Sequence, residues 1–366
     1  MGSLSADELA QFADTTRRFV AGHYTPKQWR AFVAEEGHSC AMWKRYAELG
    51  WLGLPVAEAY GGAGGGAVEL GVLLETSGRG LLLEPLLPTL AIGAGLILAL
   101  GDEAQRHAIL PAVAAGGMTL AFAHAEPGSG HERLLVTATA DDRDGASRIS
   151  GEKRFVLQAT GAARLIVSAR APDGSLGLYL VAPDAPGLSL RPYRTLDGRS
   201  VADIRLDSVP GERLGTEDAS AALERVLDLA ATALCAESMA IIAELNAATL
   251  EYARTRRQFG HAIGTFQVIQ HRLVDMMTAE QEGWAVTRCA QRALDDGVAD
   301  AWRIVSVAKA RVDHTARFVG EQAIQLHGGL GITDELMIGH QVKRLILNTT
   351  LLGDAQWHLD RLGRDL

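Results

Sequence analysis

Apolar positions follow a helical spacing at both ends of the chain and a two-residue alternation in the middle. From Ala6 to about Met118, Ala, Leu, Glu and Arg recur at three- and four-residue intervals, which sets apolar side chains on one face of successive helices. Glycine-rich stretches such as residues 60–66 punctuate them, and Ser5 stands where the first helix needs an N-terminal cap. From about residue 119 to 215 apolar and polar residues alternate, and the turn sequences DDRDG, APDG, DAPG and LDG recur, which predicts short antiparallel strands in a small barrel or sandwich. The helical period returns over 219–257, 264–296 and 300–327, with a shorter helix near the end, as in a four-helix bundle.

The expected architecture is therefore α+β and multidomain: 1–118 an N-terminal helical domain, 119–215 a middle β domain, and 216–366 a C-terminal helical bundle. Helices, then strands, then helices is not the alternation of a dinucleotide-binding parallel sheet, and no internal repeat is present.

Composition narrows the class. A chain of 366 residues, 48% hydrophobic, is long enough for more than one core. The formal charge of −9 comes without a run of like charges, so no nucleic-acid partner is expected. Cys40, Cys235 and Cys289 are too few and too scattered for a disulfide framework or a metal cluster, and are expected to be buried, reduced thiols of a cytoplasmic protein. The first twenty or so residues lack the apolar core of a signal peptide, so no export is expected. Residues 81–100 look most like a membrane span, but Glu84, Pro85 and Pro88 leave only 89–100 uninterrupted, which predicts a buried helix and no membrane span.

Three segments carry candidate chemistry. YARTRRQFG at 252–260, followed by GTFQ at 264–267, clusters arginines at a helix end. They are cations suited to the helix's negative pole, or planar donors suited to phosphate oxygens. QLHGGLG at 325–331 is either a glycine helix stop or a place where backbone approaches a ligand closely. LAFAHAEPGSG at 120–130 is a turn-rich loop at the passage from helices to strands.

In this order and spacing, with ELGWLGLP at 48–55 and YGG at 60–62, these segments closely resemble the acyl-CoA dehydrogenase family over nearly the whole chain. HAEPG at 124–128 and GDA at 353–355 are similar to the small-subunit branch, seen in pimeloyl-CoA dehydrogenase small subunits and actinobacterial heteromeric enzymes. The resemblance implies FAD as cofactor, an acyl-CoA substrate oxidised to the 2-enoyl-CoA, an electron-transfer flavoprotein as acceptor, and a homologous chain as partner in a heterotetramer. Lipid metabolism and β-oxidation are the implied setting, with dicarboxylyl or steroid-derived thioesters as the substrate class.

In the family a dry carboxylate takes the α proton of the thioester while the β hydrogen leaves as hydride to the flavin. By resemblance this base falls on Asp354, shorter in reach than glutamate by roughly 1.5 Å, the length of one carbon–carbon bond; the other reading of Asp354 is a helix cap. The alternative family location of the base falls on Ala230, and Glu224 and Asp228 are out of register with it.

On the flavin-facing side Ala125 replaces a threonine, Phe155 a tryptophan and Leu157 a hydroxyl residue, while His131 and Glu132 replace the serine and aspartate of the thioester loop. Arg256, Gln258, Phe259, Gln267, Gln325, Gly328 and Gly329 match the elements that reach the ADP half of a neighbouring subunit's FAD. His124, His131 and Arg154 are further polar candidates with ordinary surface or loop explanations. Three readings follow: a dehydrogenase subunit using Asp354, a noncatalytic subunit that clamps FAD for its partner, and an oxidase passing electrons to oxygen.

Overall fold

The computed structural model describes residues 4–34, 39–143 and 146–364. Helices come first: α1 (Ala6–His23), α2 (Pro26–Ala34), α3 (Cys40–Glu48), α4 (Ala67–Gly80), a π-helix (Leu87–Ala94) running into α5 (Gly95–Leu100), and α6 (Glu103–Ala114). Ser39 caps α3 by accepting the Met42 N–H at 3.3 Å. Asp102 and Gln105 form a reciprocal capping box on α6, so the orphan donors of that helix end are satisfied. The run that resembled a membrane span is the π-helix with α5; the π-helix is buried throughout.

Seven strands follow: β1 (Leu120–Ala123), β2 (Thr139–Arg143), β3 (Ala146–Leu157), β4 (Arg164–Arg170), β5 (Leu176–Val181), β6 (Leu188–Arg194) and β7 (Ser200–Arg213). The sheet runs β1-β4-β2-β3-β7-β5, and because β5 also pairs with β4 it closes on itself into a barrel. Closure removes most of the exposed edge that an open sheet would leave. β5 is buried at every position, and Ile149, Leu165, Val167, Leu178, Val201 and Val209 are among the buried apolar side chains of the strands.

The helical period then resumes in α7 (Ser220–Thr255), α8 (Gln267–Asp295), α9 (Ala301–His327), α10 (Met337–Asn348) and α11 (Ala355–Gly363), so the shorter helix expected near the end is two helices. α7 is long and apolar enough to cross a membrane by length and composition, yet 89% of its most apolar stretch is buried in protein. The stretch read from sequence as most membrane-like is a different one.

Packing groups the elements into two compact units. One holds Ala31–Leu70 and Leu83–Ala230 with the extreme N-terminal segment; the other holds Ala6–Arg30, Gly71–Leu82 and Ala231–Leu366. In the second unit small residues let helices approach closely. Ala231, Ala290, Val305 and Ala308 form a buried cluster against which Val286, Leu294, Ile304 and Leu352 pack. A Cβ at Gly283 would lie 2.5 Å from the Met239 sulfur, so glycine there lets the methionine side chain of α7 lie close against α8. Buried Arg344 donates to Glu237 at 3.0 Å and to the Leu82 carbonyl at 3.1 Å, placing a cation just past the end of α4.

The thiols depart from expectation. Cys235 is buried and its pKa is pushed by burial up to about 12, but Cys40 and Cys289 are exposed. Cys40 is the first residue of α3 and Cys289 lies on an outer face of α8, positions that scattered cysteines in a helical pattern do not reveal.

Candidate functional site

The second unit contains a cavity where two helix ends meet. α7 ends at Thr255, and the chain reverses through a short hairpin, β8 (Arg257–Gln258) and β9 (His261–Ala262). Phe259 (φ 52°) and Gly260 (φ 83°) both take the left-handed conformation that such a two-residue turn demands. α9 ends at His327, and Gly328 (φ 61°) turns the chain into a 3-10 segment.

Between these ends lies a cavity of about 530 Å³ lined by Tyr252, Arg256, Gln258, Ile263, Gln325 and residues 326–330. Of the residues expected at the ADP half, Arg256, Gln258, Gln325, Gly328 and Gly329 are thus brought together. Phe259 and Gln267 are not among the lining residues: Phe259 is 89% exposed on the hairpin, edge-on to Phe266 at 6.3 Å, and Gln267 is the exposed first residue of α8.

The cavity's chemistry is that of an anion receptor with an aromatic side. The Arg256 guanidinium has no side-chain partner among the described residues, and no carboxylate lines the cavity. A Cβ at Gly328 or Gly329 would meet nothing within 4 Å, so the backbone there stands open. Tyr252 stacks on His327 with ring centres 4.4 Å apart. His327 Nδ1 lies 2.9 Å from the Ala323 carbonyl and so carries the proton, leaving Nε2 as an acceptor, while burial lowers the pKa of the ring and keeps it neutral. Guanidinium, amides and open glycine backbone suit a pyrophosphate, and a stacked aromatic pair suits a nucleotide, so the residues present fit the ADP half of FAD.

Ala125 and Phe155 lie together in the first unit. The Arg154 N–H donates to the Ala125 carbonyl at 2.7 Å, joining the loop after β1 to β3. Beneath them Lys153, 0% exposed, donates to Glu126 at 2.6 Å, to Ser168 at 2.9 Å and to the His124 carbonyl at 3.2 Å. His124 Nδ1 is 2.9 Å from the same Ser168 hydroxyl. Burial, and then the Lys153 charge, push the His124 pKa down to about 3, so the ring is neutral. Burial lowers Lys153 to about 8 despite Glu126, while bonds from Lys153, Thr137 and the Ala138 N–H outweigh burial and hold Glu126 at about 2.

β3 and β7 slip register between Lys153 and Val156, and at this bulge Phe155 takes φ 54°. Asp203 accepts the Phe155 N–H at 3.2 Å and the Arg154 and Arg191 guanidinium groups at 2.7 and 2.6 Å. Against the upward push of burial, these bonds hold its carboxyl well below the usual range. What faces outward is nonetheless a methyl group at Ala125 and a phenyl ring at Phe155. His131 is half-buried in the same loop, two residues before Arg133, which bonds both Glu224 and Asp228 at 2.8 Å. Those two carboxylates are therefore committed to an ion pair.

Asp354 is the N-cap of α11. Its carboxylate accepts the Trp357 N–H at 2.8 Å, and the residue is half-buried. The turn before it is fixed from α9 and α11: Lys309 donates to the Gly353 carbonyl at 2.9 Å and to Asp313 at 2.7 Å, and His358 Nε2 lies 3.2 Å from the Leu352 carbonyl. Burial raises Asp313 to about 7 despite Lys309. Ala230 is fully buried and offers a methyl group only.

His327 and Tyr252 were missed as site residues. Tyr252 and Arg256 stand four apart on one helix face, which was the available signal. The Lys153–Glu126 pair left no local signal, because its members are 27 residues apart.

Comparison with known proteins identifies the family. Residues 6–117 match the acyl-CoA dehydrogenase N-terminal domain and 219–366 the acyl-CoA dehydrogenase C-terminal domain. The chain is similar to the acyl-CoA dehydrogenase FadE12 of Mycobacterium tuberculosis, 31% identical over 323 residues, covering 81% of this chain and 80% of that protein. Among solved structures, a variant of the Tcur3481-Tcur3483 steroid ACAD superposes with a TM-score of 0.90 at 35% identity, covering 98% of this chain and 97% of that one. PigA in its FAD complex shares the fold at 24% identity and a TM-score of 0.92, covering 100% of this chain and 99% of that one. The chain belongs to the acyl-CoA dehydrogenase family, flavin-dependent oxidoreductases that use FAD.

Proposed function

We propose that this chain is the FAD-clamping subunit of a heteromeric acyl-CoA dehydrogenase, and that a homologous partner chain supplies the base and most of the flavin-facing contacts. FAD, when held there, would supply the acceptor for the hydride that leaves the β carbon of the thioester. In this chain Arg256, Gln258, Gln325 and the open backbone at Gly328–Gly329 would hold the pyrophosphate, with the Tyr252–His327 stack beside the adenosine. Phe259 and Gln267, exposed outside the cavity, would meet the partner chain.

The observation that carries this reading is the engagement of Asp354. At the N-terminus of α11 the Asp354 carboxylate already accepts the Trp357 N–H and so serves the helix end. A base for a thioester α proton must instead point at the substrate, within about 3 Å of the proton it removes. Ala125, Leu157 and His131 point the same way, because none restores the hydroxyl or carboxylate contacts of the family. A steroid-derived thioester is the substrate class favoured by the similarity to the Tcur3481-Tcur3483 steroid ACAD. Exposed Cys40 and Cys289, neither in a disulfide, suit a reducing cytoplasm. An electron-transfer flavoprotein would take the electrons.

The test is co-purification with a homologous chain, followed by the flavin spectrum, particle mass and turnover. FAD is expected only in the mixed complex, and Asp354→Asn should keep turnover within about twofold of wild type. A flavin-loaded homo-oligomer, or loss of turnover by about a hundredfold in Asp354→Asn with flavin still bound, would return the catalytic role to Asp354.

A further inference from the structure

Strand β3 loses its alternation where its register with β7 slips. Lys153 and Val156 are both buried although three residues apart, and they pair with Ile204 and Ala202, so Arg154 and Phe155 stand together opposite Asp203. In an unbroken strand Phe155 would point into the barrel with Lys153; the extra residue turns it outward. The backbone that does this has φ 54°, a left-handed conformation that a large side chain enters only at a cost. A bulge that merely bent β3 around the barrel would take glycine there without strain.

Asp203 holds both bulged residues. The Phe155 N–H donates to its carboxylate at 3.2 Å, while the Arg154 N–H goes to the Ala125 carbonyl at 2.7 Å, so the bulge is tied to Ala125 as well. The Arg154 guanidinium reaches the same carboxylate at 2.7 Å. From the other side Arg191, which pairs with Asp203 in the β6–β7 register, donates to it at 2.6 Å, and the Tyr193 hydroxyl donates at 3.0 Å. The Tyr193 ring meets the Phe155 ring edge-on, with centres 6.4 Å apart. One carboxylate thus fixes the backbone of Phe155, its neighbour in the strand and the ring beside it.

We infer that Asp203 is a positioning residue, which holds the strained bulge so that the Phe155 ring and the Ala125 methyl group form one apolar seat for the flat ring of a flavin. The inference rests on FAD being bound by the mixed complex, as in the function proposed above, and adds a share of the flavin ring to the ADP half already assigned to this chain. A phenyl ring and a methyl group suit the face of an isoalloxazine, to which they add contact without a hydrogen bond. Asp203 itself touches no ligand; it acts through Phe155.

The experiment titrates FAD and ADP separately into the flavin-free mixed complex, comparing wild type, Asp203→Ala, Phe155→Gly and the double variant. Phe155→Gly keeps the bulge, since glycine adopts φ 54° freely, and removes the ring alone. Each single variant should weaken FAD binding by about tenfold, the worth of one aromatic contact, and leave binding of ADP, which lacks the ring, unchanged. In the double variant Asp203→Ala should add nothing, because the ring it positions is gone. Asp203→Asn should restore most of the affinity, since its amide oxygen still accepts the Phe155 N–H. If Asp203→Ala does not fold, Arg191→Met, which loosens the same clamp through a side chain 75% exposed, takes its place in the comparison. An equal loss from Asp203→Ala with and without the Phe155 ring, or a loss of ADP binding alongside FAD, would show that Asp203 serves the fold alone and would overturn the inference. FAD bound alike by wild type and every variant would overturn it too and leave the proposed function standing, whereas no FAD in the wild-type complex would overturn both.

Discussion

The cavity beside Tyr252 and the segment around Ala125 and Phe155 are built on opposite plans. In the cavity, polar side chains face outward with few internal partners: Arg256 has none among the described residues, and Gln258 bonds only the neighbouring Arg257 carbonyl, at 2.9 Å. Around Ala125 the polar groups are turned inward and satisfied, with Lys153, Glu126, Ser168 and His124 forming one buried network under apolar side chains. A ligand-facing group can be lost while the scaffold that would hold it persists, because the two answer to different constraints. Buried charges must stay paired for the chain to fold, whereas outward-facing groups are kept only by a ligand.

The largest effects should fall on the buried pairs. Lys153→Met leaves the Glu126 carboxylate buried without its ammonium, and Lys309→Met does the same to Asp313. Each should cost about 3–5 kcal/mol of stability, read as a lowered denaturant midpoint. Arg256→Ala, on an exposed guanidinium, should leave that midpoint within about 0.5 kcal/mol while weakening FAD binding by about ten- to a hundredfold. If Arg256→Ala unfolds the chain, or Lys153→Met leaves it intact, the contrast between scaffold and ligand-facing groups is wrong.

The same buried groups should respond to pH in opposite directions. Asp313 has a folded pKa raised from 3.8 to about 7, so its contribution to stability is full below the ordinary value and is lost as pH rises toward 7. His124 has a folded pKa lowered from 6.5 to about 3, so its contribution is full above 6.5 and is lost as pH falls toward 3. The stability difference between wild type and Asp313→Asn should therefore fall with rising pH and level off above about 7, while the difference for His124→Gln should rise up to about 6.5. Neither slope should exceed about 1.4 kcal/mol per pH unit. Parallel slopes would show that the two networks are not charged as described.

The sequence exposed most of the fold because periodicity is a local signal. The change from helical spacing to alternation near residue 119 and back near 216 marks the strands from Leu120 to Arg213. Closure of the barrel through β4 and β5, and the grouping of α1 with the C-terminal helices, rest on long-range pairings that no local pattern encodes. The same division runs through the site. Arg256, Gln258, Gln325 and the glycines at 328 and 329 lie in two contiguous motifs, and the structure brings them to one cavity. Phe259 and Gln267 belong to the same motifs but sit outside that cavity, since a hairpin tip and a helix start face away from the seam between helix ends. The exposure of Cys40 and Cys289 was hidden for a related reason: an apolar residue type says what burial would stabilise, and the side of the helix decides whether it occurs.

The smallest predicted effect concerns Asp354, and it separates a cap from a base. Removing an N-cap side chain costs about 0.5–2 kcal/mol, whereas asparagine at the same position still accepts the N–H and loses little. Asp354→Ala should therefore lower stability by about 1 kcal/mol, and Asp354→Asn should restore it, because the Trp357 N–H keeps a partner. A base gives a different pattern, since asparagine accepts a hydrogen bond but takes no proton, and both variants would then be equally inactive. Measuring the midpoint and the turnover of the two variants side by side in the mixed complex sets the residue's structural duty against its chemical one. Rescue of both by asparagine assigns Asp354 to the helix end, and rescue of the midpoint alone assigns it to the reaction.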